Sequence, residues 1–186
     1  MLPGDVGVGP RRDRTMIFMS QSGITDPAQQ AAWSHWYQGH LAVMLTVNGI
    51  ESAQRFTLIE GVFAPSLALY TITSPAVFQD AYYLRIRGMG PWLPLLDQRY
   101  YRRTLFAGLD IAPVVSDTDV LLVTDRTQPE PTLGGIAWKW LEAVALDCTP
   151  PFRGLAVVSH TDARHTLEAG IASYQPVTAQ LRPERG

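Results

Sequence analysis

Hydrophobic and polar positions change period several times along the chain, and each change marks an element. Residues 16–21 are a short apolar run ended by Ser22-Gly23, the pattern of a buried strand. In Asp26-Pro27-Ala28-Gln29, Asp26 can cap free amides, Pro27 suits the first helical position and Gln29 completes a capping box, so a helix starts here. Its period runs to Val47 and stops at Asn48-Gly49, both tolerant of a left-handed turn. Residues 53–59 alternate, with Arg55, Thr57 and Ile59 on one face and Gln54, Phe56 and Leu58 on the other, which predicts a strand. After a turn at 61–65, residues 67–72 return as an apolar strand, and Ser74-Pro75 opens a second helix through Arg87. Residues 88–91 break it, 92–96 add a short turn, and 101–111 read as a long strand with Tyr101, Arg103, Leu105 and Ala107 on one face. The order β-α-β-β-α-β is the ferredoxin-like plan.

Beyond Pro113 the pattern predicts a strand at 120–124, a Pro-rich linker, a helix at 136–147, a strand at 154–159 and a weak strand at 171–177. This is β-α-β-β, a unit short of its second helix. The fold class is therefore α+β: a tail over 1–15, a ferredoxin-like unit over 16–113 and a shorter, partly similar α+β unit over 114–186. A sheet with helices on one side leaves its other apolar face to be covered by a second subunit or by the C-terminal unit. The missing helix favours a second subunit, so a homodimer is expected.

Composition narrows the function classes. With 186 residues, 46% hydrophobic and 17% charged, the chain can bury a core. No apolar run approaches the roughly 18 residues of a spanning helix, so no membrane is expected as a partner. Fifteen basic against seventeen acidic residues leave a formal charge of -2, which gives no field for nucleic acid. A single cysteine, Cys148, forbids an intrachain disulfide and a thiolate-rich metal site and suits a reducing compartment, so the cytoplasm is expected. Residues 1–14 are rich in Gly, Pro and Arg and lack the apolar core of a secretory signal; Met16 is an alternative start.

The candidate chemistry lies on the first helix. Trp33, Tyr37, His40, Met44 and Val47 recur at spacings of three and four, with Trp36 and Leu41 at the edges. A pocket there would hold an aromatic ligand by stacking, with His40 as a proton donor or acceptor; the plainer alternative is a core stripe with His40 bonded to backbone. Arg99-Tyr100-Tyr101-Arg102-Arg103 interleaves rings and guanidinium groups, but strand alternation splits it across two faces. A charge-protected edge strand is favoured there over nucleic-acid binding. His160, Asp162 and His165 have no helix-face or strand-face spacing, and no metal site is expected. Neither a Gly-x-Ser-x-Gly elbow nor a histidine near Cys148 supports a nucleophile.

Ser34-His35-Trp36-Tyr37-Gln38-Gly39-His40-Leu41, then Asn48-Gly49-Ile50 and Arg55-Phe56, resembles the start of the EthD-like group of the dimeric α/β-barrel superfamily. Leu67-Ala68-Leu69-Tyr70, Ser74-Pro75-Ala76-Val77-Phe78, Ala81-Tyr82 and Pro91-Trp92 continue the likeness, which covers residues 16–113. It implies a sheet packed on a second sheet, a pocket between sheet and helices, and the family histidine at His40. At Gly39 the chain departs from relatives that carry an acid there.

Together these readings favour a cofactor-independent lyase or isomerase acting on a hydrophobic, aromatic or lactone-type metabolite. His40 would shuttle the proton, Tyr37 or Tyr70 would donate to an oxyanion, Arg55 would hold an acidic group, and Trp36 and Trp92 would line the pocket. The alternatives are a non-catalytic small-molecule-binding or accessory protein of a catabolic pathway, and a haem-binding protein with His40 as axial ligand.

Overall fold

The computed structural model describes residues 15–163 and 170–184. Its first half comprises β1 (Met16–Ser22), α1 (Gln30–Met44), β2 (Ile50–Glu60), β3 (Ser66–Ile72), α2 (Ala81–Ile86) and β4 (Arg102–Ala107). The second half comprises β5 (Asp119–Arg126), β6 (Lys139–Leu146), β7 (Phe152–Ser159), the single-turn α3 (His160–Ala163) and β8 (Ile171–Pro176). The eight strands close into an antiparallel barrel in the order β1-β3-β2-β8-β5-β7-β6-β4, and β4 pairs back onto β1. The tail expected over 1–15 lies outside the described residues but for residue 15, as does His165.

Alternation along each strand divides the apolar residues into two sets. Met19, Phe56, Leu69, Phe106, Leu121, Leu141, Leu155 and Tyr174, one from each strand, meet inside the barrel. Phe18, Ala53, Ala68, Tyr70 and Leu105 face outward and are covered by Trp33, Tyr37, Leu41 and Met44 of α1 and by Val77, Tyr83 and Met89. The inner face of the first half is thus covered by strands of the same chain, and the uncovered face that motivates a dimer is met internally.

Local chemistry explains most element boundaries. The Asp26 carboxylate accepts from Ala28 N at 3.0 Å and starts a short 3-10 turn, Pro27–Gln29, that leads into α1. α1 ends at Met44, earlier than its apolar period suggests, and the chain turns back through Gly49 at φ +91. A Cβ at that position would lie 2.7 Å from Thr73 Oγ1, so backbone and space both require glycine. The helix predicted over 74–87 is two pieces. Ser74 caps the 3-10 turn Pro75–Gln79, accepting from Ala76 N, and Asp80 restarts the chain as α2, accepting from Tyr83 N at 2.7 Å.

The helix expected over 136–147 is strand β6, bonded on one side to β4 and on the other to β7. Its Ala, Leu and Glu content favours a helix, but the barrel needs a strand between β4 and β7, and tertiary pairing overrides propensity. Consequently the second half lacks the crossover helix that precedes its second strand, and α3 stands where its second helix would be. The strand expected over 101–111 stops at Ala107, and β4 is not an edge, since β1 and β6 flank it. Part of the segment between β4 and β5 closes one barrel end: Gln54 Nε2 donates to Val115 O at 2.7 Å, and Ala112 N donates to Thr71 Oγ1 at 2.9 Å.

Candidate functional site

Between the outer face of the sheet and the two helices lies a small cavity of about 20 Å³, the size of one water. β1 supplies Phe18 and Ser20, α1 supplies Tyr37, His40 and Met44, β3 supplies Tyr70, and α2 with the loop after it supplies Tyr83, Arg87, Gly88 and Met89. Tyr101 and Arg103 reach it from the start of β4, whose alternation sends Arg102 to the other face. Four phenols, one imidazole and two guanidinium groups therefore converge on one point. A larger groove, about 1350 Å³, runs between the end of α1, residues 73–80 and the segment 181–184. Its ionisable groups, Glu51, Asp80, Arg182 and Glu184, are exposed or half-exposed, and it lacks the buried polar convergence that marks a site for chemistry.

The electrostatics of the small cavity are set by burial. Burial pushes the Tyr37 phenol up, opposed by the Ser20 hydroxyl and the Arg55 charge, and holds Tyr70 well above the usual range. Tyr83 is also raised by burial, while Arg103 and Arg87 pull the other way; Arg103 Nη2 donates to the Tyr83 hydroxyl at 2.7 Å. These phenols stay protonated at neutral pH and can act as donors. Burial lowers His40, which favours the neutral imidazole. The His40 ring lies flat on Trp36, with centroids 4.9 Å apart and planes 9° apart, and stands edge-on to Tyr37.

The sequence-predicted residues fall into two groups. His40, Tyr37 and Tyr70 line the cavity together. Trp36 supports His40 from outside it, and Trp92, in the 3-10 turn Gly90–Leu95, is half-buried against the apolar layer without reaching the lining. Arg55 lies behind Tyr37 rather than in the cavity. Its guanidinium stacks over Trp33 at 5.0 Å and Tyr37 at 4.7 Å, with Nη1 donating to Ser34 Oγ and Nε to Ser66 Oγ. This is a buried cation held by rings and hydroxyls, and it fixes the Tyr37 ring from below. Gly39 is exposed and a side chain there would meet nothing within 4 Å, so an acid at that position would point to solvent.

Ser20, Tyr83, Arg87, Met89 and the pair Tyr101 and Arg103 join the cavity without having been singled out for it. The shared face of Tyr101 and Arg103 was legible from alternation. That the face lies under α2 depends on tertiary packing alone. Among the described residues no cluster of metal-ligating side chains occurs; His160 begins α3, and Asp162 accepts from Ser159 Oγ. The cavity beside His40 has room for one water, and Trp36 covers one face of the imidazole ring. No helix among the described residues is long and apolar enough to cross a membrane.

No protein-family model and no curated protein matches the chain. Solved structures do share its architecture. An anthrone oxidase-like protein superposes with a TM-score of 0.57 at 10% identity, covering 94% of this chain and 95% of its own. A protein from Fusobacterium nucleatum with a provisional assignment as a monooxygenase superposes with a TM-score of 0.54 at 8% identity, covering 92% and 98%. At such identities the likeness establishes a shared fold, in this chain a closed eight-stranded barrel with helices packed on its outer face.

Proposed function

We propose that this chain is a small-molecule enzyme that works by proton transfer on a hydrophobic, aromatic or lactone-type metabolite in the cavity between sheet and helices. The reading includes the EthD-like resemblance of its first helix. The observation that carries it is His40: a half-buried imidazole whose neutral form is favoured by burial, in a cavity to which four phenols, two guanidinium groups and the Ser20 hydroxyl also come. A neutral imidazole can remove an acidic C–H or O–H proton, and Tyr37 or Tyr70 can donate to the oxyanion that forms. Arg103, which lines the cavity, takes the anion-holding role expected of Arg55.

The carbanion or phenolate has two fates. Without oxygen it is reprotonated at another atom, an isomerisation, or its electron pair forms a double bond as the neighbouring atom expels a leaving group, which takes the proton, an elimination. Capture of dioxygen forms a hydroperoxide, and loss of water then leaves a carbonyl; a CH₂ and O₂ become C=O and H₂O, the carbon oxidised and the oxygen reduced. The names of the fold neighbours, anthrone oxidase-like and monooxygenase, favour the second fate.

A ligand of this class needs more room than one water, so the cover over residues 74–96 must move on binding. That cover consists of short helical pieces with partly exposed Leu84 and Leu93, and Gly88 at φ +95 has open space around it. The closed cavity favours the second reading, a binding or accessory protein without turnover, and one experiment separates the two. Turnover of aromatic ketones and lactones by His40→Gln should fall about 10²–10⁴-fold with ligand binding changed only a few-fold. His35→Gln, on the exposed side of α1, serves as control. A folded His40→Gln protein with wild-type turnover would overturn the catalytic assignment, and an oxygen electrode decides between the two fates.

A further inference from the structure

At the barrel end opposite the segment 108–118, the described residues line a further cavity of about 370 Å³, within reach of the smaller ligand sites of proteins. At its floor lies Arg153 of β7, 3% exposed, pointing inward by strand alternation with Leu155. Its Nε and Nη2 donate to the two carboxylate oxygens of Asp125 at 2.7 and 2.8 Å. Its Nη1 finds only Met19 Sδ, at 3.6 Å, a weak acceptor. Two further guanidinium groups, Arg99 and Arg102, come to the same mouth above this buried pair.

The charge at the mouth is unbalanced. Arg99 is paired with Asp97 at 2.6 Å, Arg153 with Asp125, and Arg102 has no ion pair among the described residues. Three guanidinium groups thus stand against two carboxylates. Phe63, Tyr100 and Pro150 give the rest of the wall an apolar and partly aromatic part, and Gln21 and Thr149 add polar groups. We infer that the barrel mouth binds a small aromatic carboxylate, its ring against Phe63, Tyr100 and Pro150 and its carboxylate on Arg102, with the buried charge of Arg153 beneath it. This site is separate from the His40 cavity, which lies outside the barrel. The sequence cluster 99–103 therefore serves both: Tyr101 and Arg103 face the helices, while Arg99, Tyr100 and Arg102 face the mouth.

Benzoate is the probe, with benzyl alcohol as its neutral counterpart and inorganic phosphate as a bare anion, each titrated by calorimetry into the full chain. Benzoate should bind at least tenfold tighter than either. Binding should weaken at least tenfold in Arg102→Gln, an exposed position whose loss does not threaten the fold. Asp125→Asn leaves Arg153 without its carboxylate and should bind benzoate more tightly than wild type. Amide shifts on benzoate addition should fall on residues 62–64, 99–102 and 149–153. Equal binding of phosphate, unchanged binding in Arg102→Gln, weaker binding in Asp125→Asn, or shifts confined to residues 37–44 and 83–89 would each overturn the assignment.

Discussion

At the scale of single residues, one group carries the functional argument and its titration is the handle on it. Burial lowers the His40 pKa, so the unfolded chain, with His40 near its usual value of about 6.5, binds the proton more readily than the folded one. Stability from this group is fully present above that value and is lost as pH falls through the lowered folded value. Denaturant melts at stepped pH should therefore show wild type losing stability on acidification in that window. His40→Gln should show a flatter profile there, and identical profiles would mean that the imidazole is solvated. Activity should follow the same sign, falling on the acid side as the base is protonated. Arg55 makes the complementary point. Its place in the sequence, beside Phe56 on an alternating strand, marks it as one-sided, yet nothing in the sequence says that Ser34, Ser66 and two aromatic rings already engage it.

At the scale of elements, the first half was legible because local signals and tertiary demands agree there. Asp26-Pro27 and Ser74-Pro75 start helical turns where caps and proline place them, and the apolar alternation of β2 and β3 matches a sheet covered on both faces. The second half was less legible, since β6 has helical composition and becomes a strand through its neighbours β4 and β7. The difference is measurable by substitution. On a helix Leu141 and Val144 share a face, whereas on a strand they oppose each other; Leu141 is fully buried in the barrel and Val144 is 44% exposed. Leu141→Ala should cost about 2–5 kcal/mol and Val144→Ala within about 0.5 kcal/mol in urea unfolding. Similar losses at the two positions would restore the helix. The cavity itself was half-visible: His40, Tyr37 and Tyr70 could be chosen from the pattern, but Tyr83 and Arg103 meet only because α2 folds over β4.

At the scale of the whole molecule, the barrel explains why one chain suffices where a half-barrel needs a partner. The apolar inner face of β1 to β4 is buried by β5 to β8, and no sheet edge is left unpaired. Light scattering at micromolar concentration should then report a mass near 20.6 kDa; a mass of twice that would show that the expected homodimer forms through another surface. Closure also keeps two cavities apart, one outside the sheet with the imidazole and one in the barrel mouth with Arg153. Proton removal in the outer one is read by deuterium incorporation from D₂O, without oxygen, into the acidic methylene of anthrone and of related aromatic ketones and lactones. Exchange should be accelerated by the wild-type protein, returned to the uncatalysed rate by His40→Gln and unaffected by His35→Gln. No acceleration with any of these compounds, or acceleration that survives in folded His40→Gln, would contradict it.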